Sequence, residues 1–293
     1  MHPYHPEGQN AVTPTADELR HGAETGRIFQ AMCCKCDEFH NLHLDLGPIR
    51  GVIPREEAAL GIRDGSVKEI AILSRVGKWV SFQVLAFDLR GNVIGSRRAA
   101  QAEAGSYFLN ALSPGDVIPA MVQNPSELGA FCDIGCGFTA LMRIDRCCVS
   151  RLTTTAELFT AGQSICAAIL RVDDTSRRIE LTGRELLGTW EENAACFRPG
   201  QTVIGTVRSI MPYGVFIELT PNLSGLSEPD PRLAIGDRVS VHIRSIQEQK
   251  HKIKLAVIEA LPPTPPPPPD YFIRSGHIDR WEYWPGSKAV TFF

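Results

Sequence analysis

The chain has 293 residues, 43% of them hydrophobic and 22% charged, with a formal net charge of −3. That length suits two or three domains, and the composition supplies enough apolar surface for real cores, which excludes an intrinsically disordered chain. Near-neutrality excludes a global basic field, so a nucleic-acid partner would have to be met by a local patch.

Residues 1–25 open with MHPYHPEGQN, which is polar and holds no apolar run of the kind a secretory signal needs. No stretch of about 18 apolar residues follows anywhere, so no transmembrane helix is expected, and the cytoplasm with free thiols is the expected setting. Thr15 stands three positions before Glu18, a capping-box spacing that predicts a short leading helix.

From residue 26 a pattern begins that recurs twice. GRIFQAMC starts at Gly26, GDVIPAMV at Gly115 and GQTVIGTV at Gly200. Each leads into a strand-like segment: LHLDL from Leu42, AFCDI from Ala130 and VFIEL from Val215. Side chains alternate faces along a strand, so each segment reads core, ring, core, acid, core. The ring is His43, then Phe131, then Phe216, and the acids Asp45, Asp133 and Glu218 share its face. Those acids mark the ring's face as solvated. Two more apolar strands close each repeat, as DRVSVHIRSI and HKIKLAVI do in the third. Five short strands cannot bury both faces of an open sheet, whereas a small closed barrel removes the edges and fills its interior.

The expected organisation is mainly β, with five-stranded barrels over 26–98, 114–184 and 200–260. Stretches rich in helix formers, RRAAQAEAGSYFLNAL and GRELLGTWEENAACF, predict helical linkers at 99–113 and 185–199. Inserts at 66–77 and 150–162 are expected to add short strands or helical turns. In 261–293, PPTPPPPPD is a stiff spacer. The aromatics Tyr271, Phe272, Trp281, Tyr283 and Trp284 beyond it are expected to dock on a barrel or a partner, as an added strand for example.

A ring on the outer face of a barrel's second strand offers a seat to an unpaired base, worth about 1–3 kcal/mol and tolerant of base identity. Tyr213 precedes Phe216 by three residues across Gly214, and Lys252 and Lys254 alternate outward around Ile253 and Leu255. Phe131 is accompanied by Arg143 and Arg178. These cations are candidates for holding phosphates.

The segments GQTVIGTVRSIMPYGVFIEL, LSGLSE and GDRVSVHIRSIQEQKHKIKL resemble the S-one RNA-binding domain, named for the largest protein of the bacterial small ribosomal subunit. The resemblance is strong over 200–258, clear over 115–184, and faint but in register over 26–98. It implies OB-type barrels whose RNA face uses two aromatics around a YGxF step, a third-strand histidine, and an acid plus a base at the last turn. Carried over, the aromatics fall on Tyr213 and Phe216, with Leu128 and Phe131 in the second repeat. The third-strand position holds Glu228, Arg143 and Pro54 in place of histidine. The acid–base pair falls on Asp174 with Arg178 and on Glu248 with Lys252. The first repeat offers His40, His43, Asp88 and Asn92, and by the same resemblance is expected to contact protein rather than to bind RNA tightly.

The implied function is binding of single-stranded RNA, mRNA in particular, in translation, with the small ribosomal subunit as candidate partner and neither a membrane nor a small-molecule substrate. The alternative is a protein-interaction scaffold of OB barrels that docks to the ribosome or to RNA-processing machinery, with the aromatic tail as its hot spot. Nine cysteines include CCKC at Cys33, Cys34 and Cys36, and Cys132 and Cys136 have the gap of a zinc-ligand pair but fall along the second strand, where Cys132 faces inward, so small thiols filling barrels are expected. No P-loop, G-x-S-x-G or H-E-x-x-H motif occurs. Neither a cofactor, a metal nor an enzymatic activity is expected.

Overall fold

The computed structural model describes residues 3–9 and 11–293. Its strands form three barrels with one repeated order. β1 (Ile28–Cys36), β2 (Leu42–Leu46), β3 (Ile49–Ile53), β4 (Trp79–Phe87) and β5 (Val93–Ser96) close as β1-β2-β3-β5-β4. β6 (Asp116–Pro125), β7 (Gly129–Asp133), β8 (Thr139–Arg143), β9 (Ser164–Asp173) and β10 (Arg178–Thr182) follow the same order, and the β6–β9 pairing closes them. β11 (Thr202–Met211), β12 (Gly214–Thr220), β13 (Leu223–Ser227), β14 (Arg238–Gln247) and β15 (Lys252–Leu261) make the third. The chain is mainly β, three OB-type barrels in tandem.

Closure asks the first strand of a barrel to serve two neighbours. In β11, residues 202–206 pair with β14 and residues 206–211 pair with β12. The β11–β12 register skips Arg208, as the β1–β2 register skips Cys34. Such a bulge raises the local twist and bends the strand around the barrel. The third strand meets the fifth in parallel, with Leu226 opposite Lys254 and Val52 opposite Ile94. Inward positions of the predicted alternation are filled as expected: Val215, Ile217, Cys132, Leu42 and Leu44 are all buried.

By packing, the chain divides into two units. One holds the described residues up to Leu112 with Asp133–Thr139 and Asp174–Arg177; the other holds Ser113–Cys132, Ala140–Asp173 and Arg178–Phe293. In the first, the helix Ala16–Thr25 begins at the capping box of Thr15 and Glu18, and the helix Arg97–Ala111 follows β5 directly. The insert at 66–77 supplies the single helical turn Ile70–Leu73.

In the second unit the insert at 150–162 supplies the 3₁₀ turn Thr155–Glu157, and the stretch after β10 folds as the 3₁₀ turn Arg184–Leu187 and the short helix Trp190–Ala194. The C-terminal aromatics dock here. β16 (Gly276–His277) adds to the edge of β6, and β17 (Arg280–Glu282) pairs with β18 (Val290–Phe292) as a hairpin. Trp281 and Tyr283 are 5% exposed and join the core that holds Trp190, Val215 and Ile217. The Tyr283 hydroxyl donates to the Asn222 carbonyl, while the Asn222 amide donates to the carbonyls of Arg184 (2.7 Å) and Gly188 (2.8 Å). The tail is therefore part of a core, which removes Trp281 and Tyr283 as an exposed hot spot for a partner. Trp281→Ala is expected to destabilise this unit by about 3–5 kcal/mol, the usual cost of emptying a buried tryptophan site; a urea titration followed by circular dichroism checks it.

Candidate nucleic-acid interface

The outer face of the third barrel is set by the ladder of β-pairings. Ser209 faces Phe216, Phe216 faces Leu226, Leu226 faces Lys254, and Lys254 faces Ser245. Paired residues project to the same side, so Phe216 and Lys254 share one outward row. They stand two strands apart, about 10 Å between Cα atoms at normal strand spacing. Phe216 is half-buried at its base, Leu226 is half-buried and Lys254 is exposed. Tyr213, 65% exposed, stands at the β11–β12 turn with its ring edge-on to Phe216, centroids 6.2 Å apart at 87°. Lys252 is exposed on the same strand as Lys254, opposite Gln247.

Gly214 makes this placement possible. Its φ is 157°, and a Cβ there would lie 2.4 Å from the Ser227 carbonyl oxygen. Gly129 repeats the arrangement in the second barrel, with φ 155° and a Cβ position 2.3 Å from the Met142 carbonyl. Each glycine lets the second strand start hard against the end of the third, so that the preceding residue, Tyr213 or Leu128, projects outward. Leu128 is 76% exposed. Phe131 is half-buried, while Arg143 and Arg178 are exposed, Arg143 turning its Nε to Asp145 at 3.1 Å.

The acids correct the sequence reading. Glu218 and Asp133 share the strand face of Phe216 and Phe131, yet both are buried, so they do not mark a wet face. Arg208, the residue skipped in the β11–β12 register, grips Glu218 with two hydrogen bonds of 2.9 Å and also contacts Glu157. Asp133 accepts from the backbone N–H groups of Glu7 (2.8 Å), Gly135 (2.8 Å) and Gly137 (3.0 Å). Burial, and then the nearby Glu7 carboxylate, push the Asp133 carboxyl above its ordinary range. Burial would do the same to Glu7, but the Arg97 guanidinium, bound at 2.7 and 2.8 Å, outweighs it and holds Glu7 low. Only Asp45 of the three acids is exposed, closing a turn onto the Gly47 N–H at 3.1 Å.

In the first barrel the ring position is engaged. The His43 Nε2 lies 3.0 Å from an Asp37 carboxylate oxygen, and that contact, with bonds from Asn41 and Phe39, holds the Asp37 carboxyl well below the carboxylate range. Asp88 likewise ties the β4–β5 turn by accepting from Asn92 at 2.7 and 2.8 Å.

Arg244 is the residue the sequence reading missed. The β14–β15 register jumps between Ile243 and Ser245, leaving Arg244 unpaired and re-aimed. Its Nη1 donates to Glu228 at 3.0 Å at the rim of a depression of ~160 Å³ that Ser227, Asp230, Ala256 and Val257 also line. The available signal was an arginine at the outward end of an alternating run, but a bulge leaves no mark in that alternation. Among the described residues no three His, Cys, Asp or Glu side chains converge as a metal ion would require. Cys33, Cys132, Cys136, Cys147 and Cys148 are buried, whereas Cys34 and Cys196 are exposed. Burial pushes the Cys33 thiol up to about 11, far from the thiolate that metals and oxidants meet.

Three closed OB-type barrels in tandem define a repeat protein of the OB-barrel class. No family model matches the chain. It is 30% identical over 266 residues to the small ribosomal subunit protein bS1 homolog of Bacillus subtilis, covering 85% of this chain and 67% of that protein. It is also 30% identical over 198 residues to small ribosomal subunit protein bS1 of Rhizobium meliloti, covering 61% of this chain and 35% of the relative. The chain thus spans about a third of the length of that relative and two thirds of the Bacillus one. A solved multidomain protein with nucleic acid binding domains from Streptococcus pneumoniae aligns over 79% of this chain and 73% of its own, at 14% identity and a TM-score of 0.28. On the Bacillus match, the chain belongs to the bS1 ribosomal protein family. No helix among the described residues is long and apolar enough to cross a membrane.

Gly214→Ala is expected to cost the third barrel about 1–3 kcal/mol, since backbone must shift to clear the Ser227 carbonyl. Gly200→Ala, at a position where a Cβ meets nothing within 4 Å, carries only the positive-φ penalty and is expected to cost less. Thermal melts of the two variants check the difference.

Proposed function

We propose that this protein binds single-stranded RNA, mRNA in particular, on the outer faces of its second and third barrels, and assists translation at the small ribosomal subunit. Bases stack on Tyr213 and Phe216 in the third barrel and on Phe131 in the second. Lys252 and Lys254, and Arg143 and Arg178, hold the phosphates. The observation that carries the reading is the single outward row of Phe216, Leu226 and Lys254, which sets an aromatic face and a cation about 10 Å apart. A base seated on the ring and the backbone running past it need both within one nucleotide's reach. Kinship with bS1 supports the same reading and supplies the ribosomal setting. The first barrel offers a histidine at the ring position, tethered to Asp37 through Nε2, in place of a phenylalanine, and contributes least.

A second reading applies to the first barrel alone. Leu85, Phe87 and Leu89 are exposed along β4 and just beyond it, and Leu85 occupies the skipped position that Arg244 holds in the third barrel. An apolar rather than cationic outer face favours contact with protein there.

Phe131→Ala combined with Phe216→Ala is expected to weaken binding of an unstructured RNA by at least about thirtyfold, two stacks at about 1–3 kcal/mol each. The fold is expected to survive, because both rings lie outside the barrel cores. Fluorescence anisotropy with labelled RNA reads the first and circular dichroism the second; unchanged affinity would overturn the stacking mechanism. Log affinity should fall with log salt by about 0.7 per phosphate contacted, giving a shallow slope for so few cations.

A further inference from the structure

We infer that the third barrel selects guanine at the base seated next to Phe216, through the paired side chains of Glu228 and Arg244; the inference rests on the RNA-binding reading of that face. Extending the β12–β13 register by one residue past Val215 and Ser227 sets Glu228 opposite Gly214, one strand over from Phe216 and two residues further along. That places its Cα about 8 Å from that of Phe216, within the span of a base stacked on the ring. Carried two residues past Leu226 and Lys254, the β13–β15 register sets Glu228 beside Ala256, which lines the same depression and faces His242 on β14, the strand whose bulge re-aims Arg244. The two side chains therefore converge on the same rim from different strands, and they meet at 3.0 Å.

The pair offers an acceptor and a donor side by side. Glu228 is 81% exposed and Arg244 55% exposed in their side chains, so their mutual contact is weak and readily shared. Asp230, the other carboxylate at the depression, is occupied: its oxygens take the Arg232 guanidinium at 2.7 and 3.0 Å and the Arg232 N–H at 3.0 Å. Glu228 is thus the carboxylate available to a ligand. Guanine's Watson–Crick edge shows two adjacent donors, N1–H and the N2 amino group, beside the O6 acceptor. A carboxylate accepts both donors at once while the guanidinium donates to O6. Uracil shows one donor flanked by two carbonyl oxygens, which repel a carboxylate. Cytosine and adenine show one amino group beside an unprotonated ring nitrogen, whose lone pair faces the second carboxylate oxygen. In the first and second barrels the corresponding skipped residues of the fourth strand are Leu85 and Leu170, so the discrimination belongs to the third barrel.

The test is fluorescence anisotropy of the full chain with short oligouridylates carrying one central guanine, adenine or cytosine, or none. The guanine oligomer is expected to bind tighter than the others by about tenfold or more, the discrimination of a good bidentate contact. Glu228→Gln replaces one of the two acceptor oxygens by a donor, so the guanine-to-uracil affinity ratio is expected to fall toward one. Arg244→Leu, which copies the other two barrels, is expected to lower the same ratio. Equal binding of the four oligomers, or a preference for another base, would overturn guanine selection while leaving the RNA platform standing. Failure of every oligomer to bind would overturn the platform reading and this inference with it.

Discussion

A sheet of five strands closes only if its first strand pairs along both sides, and the rest of the outer face follows from that demand. β11 meets it by coiling, with a bulge at Arg208 where its pairing passes from β14 to β12. The bulge turns Arg208 to Glu218, and the two bury each other's charge in a bidentate contact. An isolated carboxylate beside Phe216 would repel an anion; the guanidinium gripping it offsets part of that repulsion, since Arg208 divides its one charge between Glu218 and Glu157. A buried pair of this kind is weak evidence for stability, because desolvation offsets its attraction. Its effect here is on the field over the ring, with Lys252 and Lys254 exposed on the strand beyond.

The three barrels share this frame and differ in what they project from it. At the outward ring position they carry His43, Phe131 and Phe216, and at the residue skipped in the fourth strand Leu85, Leu170 and Arg244. The third barrel has two adjacent aromatic rings and cations on two strands. The second has one ring, an exposed leucine in the slot of Tyr213, Arg178 in place of Lys252, and Glu180, opposite Leu141, in place of Lys254. The first has its ring engaged by a carboxylate and an apolar bulge. One backbone solution thus serves three surfaces, because the inward positions stay apolar in every barrel while the outward ones change their chemistry.

The core and the ring positions were legible because both depend on the period of two, which is a local property. Val215, Phe216 and Ile217 sort themselves by adjacency alone. The acids were not legible, because what decides whether Asp133 is wet is the N–H of Glu7, 126 residues away in sequence. Glu218 failed for the same reason on a shorter scale, its partner lying 10 residues upstream at a position where alternation is broken. Arg244 escaped because a bulge changes register without changing composition. The tail was legible as something that must bury its rings, since no water-exposed arrangement of Trp281, Tyr283 and Trp284 is favourable. Its seat was not, since β16 pairs with a strand edge that only barrel closure leaves open.

The tail also bears on how so small a basic surface could hold a strand of RNA. Most of the second barrel, Phe131 included, lies in one compact unit with the third, joined by Ser150 N–H to Pro221 carbonyl (3.0 Å), Val149 N–H to Asn222 side chain (3.0 Å) and the core that Trp281 and Tyr283 complete. A chain with a net charge of −3 cannot rely on long-range attraction. Each stack is worth only about 1–3 kcal/mol. When two such seats sit in one unit, occupation of the first makes the second an intramolecular event, and its effective concentration reaches the millimolar range without further charge. On this account the spacing of Phe131 and Phe216 matters more to affinity than the count of lysines. If the proposed stacking holds, the buried aromatic tail would contribute to binding from a distance, by keeping the two rings in one unit.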